Sequence, residues 1–167
     1  MFADIILLII TAICIITDLI YRKIYNMVLL PAVILAACYH LYTGGLPAVF
    51  FSMEGLFLGL ALLLIPYLMG GIGAGDVKFL AAIGALKGPS FVFVTFLAGA
   101  VAGGILAVFY LIKNKKLLFT VKKLFLTFLN RYVYFQNQPA VPEDEQSSTL
   151  PYGAAIAIGT LAAYFVR

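Results

Sequence analysis

The chain has seven acidic side chains among 167 residues, and five have ordinary places. Glu143, Asp144 and Glu145 fall in a polar, proline-containing stretch. Asp4 is at the amino terminus, and Glu54 lies near the start of an apolar run, within reach of headgroups. Asp18 and Asp76 remain, each at the edge of an apolar run, with Asp76 following the glycines of GGIGAGDVKF (residues 70–79). Ionisable groups at the edge of hydrocarbon are costly and usually face a bundle interior or a water cavity. Two carboxyl groups sharing a site do not both ionise easily, so one keeps a proton while the other acts as base. Such a pair can activate water against a peptide carbonyl with no metal and no covalent intermediate. It titrates as a unit, so the proton belongs to neither member.

Plainer readings stand beside this one. Arg22, one turn after Asp18, is an i, i+4 partner for it. GAGD is also a glycine turn with an aspartate cap for the next helix. A proton-coupled transporter or channel subunit would carry two buried carboxylates as a relay. The glycines favour room for another chain: Gly70, Gly71, Gly73 and Gly75 allow unusual backbone and close approach. Gly73 and Gly75 are thus candidate substrate-binding positions, where an extended peptide could pair with loop backbone. Lys78, two residues past Asp76, diverges from it on a helix. It either snorkels to the interface or meets an acidic group of a substrate.

The elements that hold these residues are apolar. With 64% hydrophobic and 11% charged residues, the chain carries more apolar surface than a soluble domain of this length can hide, so its solvent is lipid. The net charge of +4 is then a loop signal and not a nucleic-acid footprint. Cys14 and Cys38 sit in apolar runs as small hydrophobes. No Cys/His cluster suggests zinc, and no cofactor is expected.

Runs of about 20 apolar residues read as spans. They cover 2–20, 27–42, 49–69 and 90–112, with a last one at 150–166 and a short fourth segment, 77–86, worth only half a bilayer. TGGLP (residues 43–47) and KGP (87–89) are the breakers between them. His40 falls near one interface. Residues 113–135 alternate lysines with an i, i+3, i+4 apolar stripe, which predicts an amphipathic helix on an anionic leaflet. Residues 136–149 follow as an acidic linker. The fold class expected is all-α: a single polytopic domain over 1–167, with six crossings and one interfacial helix. An outside amino terminus puts Arg22, Lys23, Lys78 and the basic helix in the cytoplasm, with Lys87 and Arg167 outside. Counting crossings brings Asp18 and Asp76 to the same, cytoplasmic face. GxxxG at Gly99 and Gly103, and the small pair Gly153 and Ala157, predict close helix packing.

At these motifs the sequence resembles the prepilin peptidase family, intramembrane aspartic proteases with a GxGD motif. GAGDVKFLAAIGA (73–85) resembles the family's second aspartate motif, and TDLIYRKIYN (17–26) the first. LPYGAAIAIG (150–159) resembles the closing Pro-Tyr/Phe-Gly span. The resemblance implies that Asp18 and Asp76 are the catalytic dyad. It implies a substrate too: the basic leader of type IV pilin-like precursors, cut at the cytoplasmic face of the inner membrane. Tyr25 stands where the family usually has proline, so the turn after the first span differs. The amino-terminal cysteine region tied to N-methylation has no counterpart, as in the short form found with tight-adherence (Flp-type) pili. Presenilin and signal-peptide peptidase share GxGD more distantly, with tyrosine before the first aspartate where this chain has Thr17.

Overall fold

The computed structural model describes residues 2–69, 71–113 and 152–166, and these are helical apart from short connections. The expected interfacial helix and acidic linker lie outside them, save for the last residue of the fourth helix. The chain divides into two compact units, residues 1–103 with 151–167, and residues 104–150. The site lies in the first.

α1 (Phe2–Tyr21) ends where Arg22 turns to φ 51°, a left-handed conformation uncommon for a residue with a Cβ. α2 (Asn26–Leu68) is continuous except at Gly45, whose φ of 64° and ψ of −153° break the helix. α3 (Ala74–Lys87), α4 (Pro89–Lys113) and α5 (Tyr152–Val166) follow. Gly88, at φ 84°, joins α3 to α4 under the ring of Phe51, which leaves no room for a Cβ.

Contacts with α3 fix the course of α2. In its first arm Asn26 meets Lys78 and His40 meets Leu86, so that arm runs parallel to α3. In its second arm Ser52 meets Ala85, and Gly59 lies against Leu80 and Ala81, so that arm runs antiparallel. The chain therefore reverses at Gly45, inside the predicted TGGLP breaker. His40 is not simply interfacial: its Nε2 lies 3.3 Å from the Leu86 carbonyl oxygen, serving a free helix-end acceptor.

α3 is the core. Every residue from Phe79 to Leu86 is buried, although the helix is only 14 residues long. That is about 21 Å of helix, too short to cross alone, so its neighbours cover it. Approach is closest at Gly55 and Gly84, where a Cβ on either would lie 2.1 or 2.0 Å from the other's carbonyl oxygen. Small residues at helix seams let backbones meet in this way. α4 and α5 use the predicted Gly99: it faces Ala155 and Ile156, while Gly159 faces Thr95. Among the described residues three helices are long and apolar enough to cross a membrane, namely α1, α2 and α4 over Pro89–Phe109, and α5 is a shorter apolar helix.

Candidate active site

Asp18 sits in the last turn of α1 and Asp76 in the first turn of α3, and both are buried, at 7% and 9% exposure. α1 and α3 run antiparallel. Their far ends are joined by an ion pair between Asp4 and Lys87, to which the Tyr164 hydroxyl adds a 3.0 Å hydrogen bond to Asp4. The two aspartates therefore share the other end of the bundle. They line one cavity of about 370 Å³ with residues 22–26 and 73–75, and the charge of Asp18 is felt at Asp76.

Local structure explains each placement. Gly73 caps α3 in an extended conformation (φ −77°, ψ 149°), which makes Asp76 the third helical residue and not the cap. From there its Oδ2 accepts a 3.3 Å hydrogen bond from the Gly73 amide, the reciprocal half of a capping box. The plain cap reading of GAGD is thus met by Gly73, while the Asp76 carboxyl still borders the cavity. Gly75 is needed for close approach: a Cβ there would lie 3.0 Å from Cβ of Ile24, in the turn after α1. Arg22 is near enough for its charge to act on Asp18.

Of the sequence candidates, the structure brings Asp18, Asp76, Gly73 and Gly75 to one cavity and leaves Lys78 outside it. Lys78 is exposed, donates a 3.1 Å hydrogen bond to Asn26 Oδ1, and lines a second, mostly apolar cavity with Leu29, Val33 and Leu60. Asn26 borders both cavities. Sequence reasoning missed the first turn of α5. Gly153, read as a packing residue, lies against the Asp18 carboxyl, and Tyr152 is within electrostatic reach of Asp76. The signal was present in LPYG, but nothing in the sequence alone says which residue that turn meets. No three His, Cys, Asp or Glu side chains gather as a metal site among the described residues.

A model of the type IV leader peptidase family matches residues 5–108, which include both aspartates. The chain belongs to that family. No curated protein and no solved structure matches it. Membership makes this leader peptidase relative a protease, and its long apolar helices make it a membrane protein. A proton-relay transporter is not favoured by that membership.

Proposed function

We propose that this protein is an intramembrane aspartic endopeptidase that removes the basic leader of type IV pilin-like precursors, with Asp18 and Asp76 as its dyad. The observation that carries the reading is the burial of both carboxyls at one end of α1 and α3, around one cavity. The whole chain, residues 1–167, acts as one membrane-embedded domain with six crossings, α2 supplying two of them through its reversal at Gly45. The amino terminus is outside and the dyad faces the cytoplasm, the orientation that keeps Arg22, Lys23 and Lys78 inside.

The chemistry needs only the two carboxyls and water. The ionised member takes a proton as the water oxygen bonds to the scissile carbonyl carbon, and the protonated member gives its proton to the carbonyl oxygen. The resulting diol collapses as the C–N bond breaks. One carboxyl protonates the departing nitrogen while the other recovers a proton from the diol, and the dyad returns to its starting charge. From Asp76 to Lys87 is about 16 Å of helix, less than a hydrocarbon core of about 30 Å, which supports a site below the membrane surface that water reaches through the cavity. The glycine loop at Gly73 and Gly75 offers backbone to an unwound substrate, and Lys78 meets an acidic group of the precursor. The basic segment at 113–135 rests on anionic lipid. Co-expression with a candidate precursor, reading leader removal by aspartate-to-asparagine variants, tests this function.

A further inference from the structure

The family match ends at residue 108, yet a helix beyond it touches the dyad. The first amides of a helix have no acceptor within it. In α5 two of these, from Gly153 and Ala154, reach the carboxyl group of Asp18. Gly153 meets the same group at its α-carbon: a Cβ there would lie 2.7 Å from Oδ2, 3.0 Å from Cγ and 3.3 Å from Cβ of Asp18. The other glycine of α5 behaves differently. The nearest atoms to a Cβ at Gly159 are backbone atoms of Thr95 and Gly99, an ordinary helix seam, whereas the three nearest to one at Gly153 all belong to Asp18. Oδ2 of Asp18 is buried and has no hydrogen-bond partner among the described residues. A buried polar atom left so calls for a functional explanation, and a carboxyl oxygen kept for water or substrate is one.

We propose that Gly153 is a positioning residue for Asp18: its amide and that of Ala154 orient the carboxyl, and its missing side chain is the space in which Oδ2 sits. α5 is then a third wall of the active site, beside α1 and α3. Tyr152, half-buried on the same turn and within reach of the charge on Asp76, ties that wall to the second aspartate. The inference rests on the function proposed above, but the contact it invokes can be read without catalysis.

The test uses the full-length protein in membranes and in detergent, with the substitutions Gly153→Ala, Gly159→Ala and Asp18→Ala, and Gly153→Ala combined with Asp18→Ala. A carboxyl misplaced by about 1 Å costs up to about 100-fold in rate. Gly153→Ala is therefore expected to lower kcat about 10- to 100-fold with KM within about threefold. Gly159→Ala should lower the melting temperature while leaving kcat per folded molecule unchanged. Gly153→Ala should also lower the melting temperature when residue 18 is Asp, and much less when it is Ala, because the two closest atoms, Oδ2 and Cγ, are then gone and only the Cβ contact at 3.3 Å remains. If Gly153→Ala alone fails to accumulate, its recovery in the Asp18→Ala background supports the proposal and its failure there overturns it. Wild-type kcat in Gly153→Ala, or an equal melting loss in both backgrounds, also overturns it. If the wild-type protein cleaves no precursor, the proposed function fails instead, and the melting comparison still decides the contact.

Discussion

Asp4 and Lys87 pair at the end of the bundle opposite Asp18 and Asp76, and they do so across three helices, because Tyr164 of α5 bonds to Asp4 as well. The Lys87 ammonium also lies 4.9 Å from the Tyr164 ring centre and 5.3 Å from that of Phe91. This cluster fixes the direction of α1, α3 and α5 relative to one another, and so fixes which ends meet at the dyad.

Lys87→Met should therefore destabilise the bundle without touching the chemistry. The pair is partly exposed, so the loss is about 1–3 kcal/mol and not the larger value of a sealed pair. Thermal unfolding in detergent checks this: a lower melting temperature is expected, with kcat per folded molecule within twofold of wild type.

The seam between α2 and α3 gives a sharper contrast. Gly84→Ala would place a Cβ 2.0 Å from the Gly55 carbonyl oxygen, against backbone that cannot rotate away. Overpacking of this kind costs about 1–3 kcal/mol or more, so little protein should reach the membrane. Gly104→Ala has nothing among the described residues within 4 Å of the new methyl and gains up to about 1 kcal/mol of helix preference. Membrane yield and melting temperature of the two variants should move in opposite directions.

Lys78 lies outside the aspartate cavity, beside Asn26, which borders both cavities. Its proposed partner is an acidic group of the precursor, met away from the scissile bond. Lys78→Met should therefore raise KM about 3- to 10-fold, the loss of about one exposed charged contact, with kcat within twofold. Steady-state kinetics with a precursor lacking acidic residues should show no difference between the variant and wild type.

Much of this was legible in the sequence because it depends on local pattern. The breaker TGGLP announced the reversal that Gly45 makes, and KGP announced Gly88 between α3 and α4. Counting apolar runs puts Asp18 and Asp76 at one level, and in the structure both line one cavity. What could not be read depends on contacts far apart in the chain. Asp4 looked like an ordinary terminal residue because its partners are 83 and 160 positions away. Gly55, Gly59 and Gly84 carry no visible pairing in the sequence, since GxxxG does not say which helix it receives. Gly75 reads in sequence as room for close approach, and the sequence does not show that a Cβ there would meet Ile24 of the protein itself. The fourth segment is about half a bilayer long in sequence, and a run length does not show the neighbours that bury it from Phe79 to Leu86.

The most direct measurement is leader removal from a co-expressed pilin-like precursor by Asp18→Asn and Asp76→Asn proteins that accumulate in the membrane at wild-type levels. The asparagine side chain keeps the shape of each carboxyl but neither ionises nor supplies an acidic proton. Complete loss of processing by each variant, with wild-type processing alongside, is the predicted result. Normal processing by either variant would contradict a mechanism built on both carboxyls.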